Sequence, residues 1–237
     1  MSIPGFCARL PLFACAVLLA APAPALAQEP GSVWGLFRQS FDLFTVLLVA
    51  GSVGVVWVSY LCALDLRERR ILPEASLARM SELVRGGRRA ELVSFVSSDS
   101  SFPARVLQAA LDAEAHDAES IRETAEIAAS EQCARWFRRV EPLSLIGNLG
   151  PLIGLAGTVW GMILAFTELG ATAGAAGPEE LAPGIAKALF HTLLGLMLAI
   201  PALGLFGLFR ARADRICNRG LRVSGDLVER LIRAEQT

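Results

Sequence analysis

The sequence predicts an all-α membrane protein with three transmembrane helices and long helices that extend into the cytoplasm. Two observations predict that class. The composition is too apolar for an ordinary soluble domain: of 237 residues 54% are hydrophobic and only 19% charged, with a mean hydropathy of +0.50. Three runs without Asp, Glu, Lys or Arg follow residue 42, at 43–64, 142–167 and 188–209, and each has at least the roughly 20 residues needed to span a bilayer core.

The boundaries follow from these runs. Residues 43–64 form the first span, 142–167 the second and 183–209 the third, the last with one lysine near its start. Residues 1–27 read as a signal peptide. Arg9 gives a positive beginning, residues 10–21 a short apolar core, and Ala25, Leu26 and Ala27 before Gln28 a small-residue cleavage pattern. Residues 28–42 are then an N-terminal segment outside the cytoplasm, 65–141 a first and 210–237 a second cytoplasmic segment, and 168–182 a periplasmic loop.

Arginine placement sets the orientation. Of 21 arginines, twelve lie in residues 65–141, among them Arg67, Arg69, Arg70, Arg135, Arg138 and Arg139 flanking two spans. More follow the third span, from Arg210 onward. Residues 168–182 have no Lys or Arg, and residues 28–42 have only Arg38. Basic residues stay on the cytoplasmic side, so the N-terminus and the 168–182 loop are expected outside the cytoplasm, and residues 65–141 and 210–237 inside it.

Residues 65–141 carry apolar positions at helical spacing, with turns expected at Gly86-Gly87 and at residues 97–103. No breaker interrupts residues 104–140, which predicts one helix running into the second span. His116 among Asp112, Glu114, Asp117 and Glu119 reads as a solvated helix face, because those acids point in different directions. The five cysteines show no metal or redox spacing. Neither a metal nor a cofactor is expected, and no nucleic-acid partner.

Inside the membrane, small residues mark where helices pack closely. The second span carries Gly147, Gly150, Gly154, Gly157 and Gly161, the third Gly184, Ala188, Thr192, Gly195 and Ala199. Spacings of three and four place each set on one stripe. The first span is bulkier, with Val55, Trp57 and Tyr60, and is expected to face lipid. Thr158 and Thr192 each lie ten residues from the outer boundary, a depth of roughly 15 Å at about 1.5 Å per residue, so their hydroxyls are level. Such a pair can form a polar ring in an oligomer or simply bond back to a carbonyl one turn earlier. None of the three runs holds an Asp or Glu, whereas a proton path usually uses an ionisable side chain. If the chain conducts protons, the carboxylate must come from a partner. His191 reads as a hydrogen-bonded packing residue or a relay, and Lys187 lies near enough the outer surface to snorkel there.

Two segments carry a resemblance. Residues 151–162, PLIGLAGTVWGM, followed by Phe166, and residues 182–202, APGIAKALFHTLLGLMLAIPA, resemble the signature helices of the ExbB/TolQ/MotA family of ion-driven motors. The three-span topology is similar to ExbB and TolQ, while MotA has four spans. The resemblance implies a homopentamer around the single-span helices of an ExbD- or TolR-like partner whose aspartate carries the proton. It also implies a TonB- or TolA-like protein that receives the energy across the periplasm. By the same resemblance Thr158 and Thr192 fall on pore-facing threonines, with Lys187 where the family commonly has Glu. The implied function is a channel-forming subunit driven by the proton motive force. A Na⁺-driven stator relative or a non-conducting membrane scaffold is the alternative. No cluster of catalytic residues is present, and an enzyme is not expected.

Overall fold

The computed structural model describes residue 38 and residues 40–113, 117–171 and 177–235, which are helical without any strand among them. The signal peptide predicted at 1–27 and His116 with Glu114 lie outside the described residues. Helix α1 spans Leu43–Asp65, α2 Glu68–Ile71, α3 Glu74–Arg85, α4 Arg89–Ser98, α5 Phe102–Leu111, α6 Ala118–Ala171 and α7 Pro178–Glu235. Three of them, α1, α6 and α7, are long and apolar enough to cross a membrane. Both α6 and α7 continue far beyond the apolar runs, as the sequence predicts. Pro142 and Pro151 sit inside α6 and Pro183 and Pro201 inside α7. Each removes one backbone donor without ending its helix.

The helices divide into two compact units. The first comprises the described residues up to Leu61 with Glu141–Gly207, and the second Cys62–Val140 with the chain from Leu208 onward.

In the first unit, α6 and α7 run antiparallel and touch through their small stripes. A Cβ added at Gly154 would lie 2.8 Å from the His191 carbonyl oxygen, and one at Gly195 2.6 Å from the Gly150 carbonyl oxygen. Ala165 Cβ would meet one at Gly184 at 2.8 Å, and Ala188 Cβ one at Gly161 at 3.0 Å. Hydrogen in place of a side chain is therefore what allows the backbones to approach. The first span differs in part from expectation. Trp57 and Tyr60 are exposed, but Thr45, Leu48, Val55 and Ser59 form a buried stripe, and Gly51 and Gly54 lie against Leu198 and Ile146. Thr45, Leu48, Gly51, Val55 and Ser59 recur every three or four residues, which gives α1 one packed face and one lipid-type face.

In the second unit, α3, α4 and α5 pack together, with Met80, Leu83, Leu92, Val96, Val106 and Leu107 almost wholly buried. The α6 residues Ile121, Ala125, Ala129 and Cys133 recur every four positions in the same core, and Ile216, Cys217, Leu227 and Leu231 of α7 pack into it as well. Arg122 of α6 reaches Glu229 of α7 at 2.8 Å. The unbroken helix expected over residues 104–140 is not found: α5 ends at Leu111, and α6 begins at Ala118. Asp117 supplies the physical reason for the new start, its Oδ2 accepting the Ser120 N–H at 3.3 Å as a helix N-cap does.

Candidate functional site

Thr158 of α6 and Thr192 of α7 meet. Their hydroxyls hydrogen-bond one another, and Thr158 Oγ1 also lies 3.1 Å from the Gly154 carbonyl oxygen and 3.2 Å from that of Ala188. The two readings of a membrane threonine thus coexist at Thr158, which bonds back one turn and also pairs across the helices. Gly154 makes this possible: the close approach of α6 to His191 and Thr192 at that level leaves no room for a larger residue.

The hydrogen accounting of the pair is informative. Both carbonyls can only accept, while each hydroxyl carries one hydrogen and accepts others. If Thr158 donates to a carbonyl, Thr192 donates to Thr158 and keeps lone pairs for an incoming donor. If Thr158 instead donates to Thr192, the Thr192 hydrogen is free for an incoming acceptor. A rotation of two hydroxyls therefore switches the pair between accepting and donating. Both residues are only half-buried within the chain. Thr158 also edges an apolar concavity of about 530 Å³ lined by Val159, Met162, Ile163, Phe166 and Thr167.

Lys187 and His191 lie in a second cluster, around a residue that sequence reasoning did not single out. Asp42 stands one position ahead of α1, where its Oδ1 accepts the N–H groups of Phe44 and Thr45 at 3.1 and 3.2 Å as an N-cap. The same carboxylate lies 2.9 Å from His191 Nε2 and 3.3 Å from Lys187 Nζ. His191 has no exposed surface. Its Nδ1 lies 2.9 Å from the Lys187 carbonyl oxygen, and Thr45 Oγ1 is 3.2 Å from Nε2 while donating to the Ser40 carbonyl. Both ring nitrogens thus lie within hydrogen-bond distance of oxygen atoms. Burial pushes the Asp42 carboxyl up, but the Thr45 N–H, the His191 ring and Lys187 outweigh it and hold the carboxyl below its usual range. Lys187, 21% exposed, is matched by a carboxylate of the same chain. The sequence signal for Asp42 was available: an acid directly before an apolar helical run is a capping position.

Comparison with known proteins places these residues in context. The profile of the MotA/TolQ/ExbB proton channel family matches residues 98–220, more than half the chain. The chain is 43% identical over 77 residues to the Tol-Pal system protein TolQ of Pseudomonas aeruginosa, covering 32% of this chain and 33% of that protein. It is 27% identical over 194 residues to the biopolymer transport protein ExbB of Pseudomonas putida, covering 75% of this chain and 56% of the relative. The matched segments thus span between a third and just over half of these relatives' lengths. Among solved structures, C. jejuni MotAB matches with a TM-score of 0.59 at 17% identity, over 95% of this chain and 90% of that one. The flagellar MotAB stator complex of Bacillus subtilis matches with a TM-score of 0.51 at 19% identity, over 96% and 87%. At such identities the likeness is one of fold. Thr158 and Thr192 both lie within the matched segment, and the chain belongs to the MotA/TolQ/ExbB proton channel family.

Proposed function

We propose that the chain is the channel-forming subunit of an inner-membrane motor that uses the proton motive force together with a single-span, carboxylate-bearing ExbD- or TolR-like partner. The observation that carries this reading is the Thr158–Thr192 hydroxyl pair, level in depth, in a chain whose three apolar runs contain no Asp or Glu. A hydroxyl pair passes a proton to or from a neighbour but does not hold one as a carboxylate does. The partner supplies that group, and the apolar concavity beside Thr158 suits a passing helix. Several copies, a pentamer by family resemblance, surround the partner. A TonB- or TolA-like protein receives the work across the periplasm. The arginine bias supports residues 168–182 outside and residues 65–141 inside. The subunit is not an enzyme and needs no cofactor.

Proton flux into liposomes tests the reading. The purified chain alone conducts little, and the chain reconstituted with its single-span partner conducts in a way that depends on the partner's membrane carboxylate. Strong flux from the chain alone would contradict it and return the path to Lys187 and His191.

A further inference from the structure

The second unit contains a charged cavity that the channel reading does not use. It has a volume of about 240 Å³, and its walls include Asp65, Arg70, Arg105, Arg135, Trp136 and Arg139. Four guanidinium groups thus face one carboxylate, and that carboxylate is already engaged: Asp65 accepts from Arg139 and lies 4.0 Å from Arg70. Among the described residues neither Arg105 of α5 nor Arg135 of α6 has an ion-pair partner. Two different helices therefore bring two uncompensated guanidinium groups to the same cavity. Ser100 and Gln132 add neutral donors to its wall. The indole of Trp136 lies 5.2 Å from the Arg139 guanidinium, and its Nε1–H is buried without an acceptor. Every unsatisfied group at this site is a donor or a cation.

Chain position fixes the depth of the cavity. Asp65 is the first charged residue after the apolar run 43–64, and Arg139 stands three residues before Pro142, where the second run begins. Both residues belong to the level at which hydrocarbon gives way to headgroups, where tryptophan and arginine are favoured. Arginine's planar fork matches the paired oxygens of a phosphate, and basic pockets beside membrane helices suit anionic headgroups.

We propose that this cavity binds the phosphate of an anionic phospholipid, with Arg105 and Arg135 as its principal ligands and the Trp136 indole N–H as a further donor. Its assignment to the cytoplasmic leaflet rests on the topology proposed above, whereas binding itself does not. The bound headgroup neutralises the excess positive charge and ties α5 and α6 to the membrane surface.

Native mass spectrometry of the detergent-purified full chain is the test, with phosphatidylglycerol and phosphatidylcholine of matched acyl chains as probes. Wild type retains phosphatidylglycerol in preference to phosphatidylcholine. The variant R105Q/R135Q loses that preference by about tenfold, R105K/R135K recovers part of it, and R85Q/R222Q, with the same charge change elsewhere, keeps it. Helical circular dichroism and elution volume confirm that the variants are folded. Equal retention of the two lipids by wild type, undiminished preference in R105Q/R135Q, or an equal loss in R85Q/R222Q would each overturn the proposal. Millimolar inorganic phosphate leaves the lipid bound; its complete displacement would make the occupant a soluble phosphate and end the lipid assignment. Because no partner or flux is involved, failure here is separate from failure of the motor reading.

Discussion

Asp42, the residue that caps α1, lies 2.9 Å from Nε2 of the wholly buried His191 on α7. One carboxylate thereby joins two membrane helices and also neutralises Lys187. Lys187 is thus matched within the chain, and among the described residues no charged side chain hydrogen-bonds the Thr158–Thr192 pair.

Asp42→Asn retains a capping oxygen but removes the charge and turns the other oxygen into a donor, so its effect reports chiefly the two ion contacts. Stability in detergent should fall by about 2 kcal/mol, in line with hydrogen bonds to charged groups. A double-mutant cycle with His191→Gln should return most of that coupling, and one with Lys187→Gln under about 1 kcal/mol, because Lys187 keeps access to solvent. Equal couplings would show that burial of His191 is not what strengthens the pair.

The pH dependence has a definite sign. The Asp42 carboxyl titrates lower in the folded chain than its unfolded value of about 3.9. Its stabilising contribution is therefore complete above that value and lost as pH falls through the folded pKa. The stability difference between wild type and Asp42→Asn should not shrink between pH 7 and about pH 5, and should shrink below about pH 4. Thermal unfolding of both proteins across that range is the check, and a difference that vanishes near pH 6 would contradict it.

Glycine substitutions should separate by position. A Cβ at Gly195 meets the Gly150 carbonyl oxygen at 2.6 Å and one at Gly157 meets His191 Cγ at 2.7 Å, whereas one at Gly207 meets nothing within 4 Å. Gly195→Ala and Gly157→Ala should each cost about 1–3 kcal/mol as overpacking does, and Gly207→Ala should stay within about 0.5 kcal/mol. Denaturation of the three variants in detergent decides the order.

Topology can be read by labelling. In a cysteine-free background, a cysteine at Ala173 should react with an impermeant maleimide in intact spheroplasts, and one at Arg85 only after permeabilisation. The reverse pattern would invert the proposed orientation.

What the sequence made legible was set by signals that are local along the chain. Uncharged runs marked three spans, and glycine spacing marked the contact between α6 and α7, because both depend on residues a few positions apart. The meeting of Thr158 with Thr192 was legible from depth, since antiparallel helices place equal depths side by side. The place of Asp42 as a cap was legible too, but its contact with His191 was not, because the two are separated by 149 positions. Its partners come from tertiary packing, which no period reveals. The break between α5 and α6 was missed for a related reason. It is made without Gly or Pro, and the acid that caps the new helix resembles any solvated surface acid. Cys133 and Cys217 likewise read as separate small residues, yet both are buried in the second unit's core.

The central claim is that the Thr158–Thr192 hydroxyls lie on the ion path. The most direct measurement is proton flux by the Thr158→Val, Thr192→Val double variant reconstituted with its single-span partner, with crosslinking of the same sample to report assembly. Valine keeps the shape and removes the hydroxyls, and interhelical membrane hydrogen bonds average only about 0.6 kcal/mol, so the oligomer should assemble as wild type does. The account predicts an assembled complex whose flux is lost. Wild-type flux from that assembled complex would contradict it.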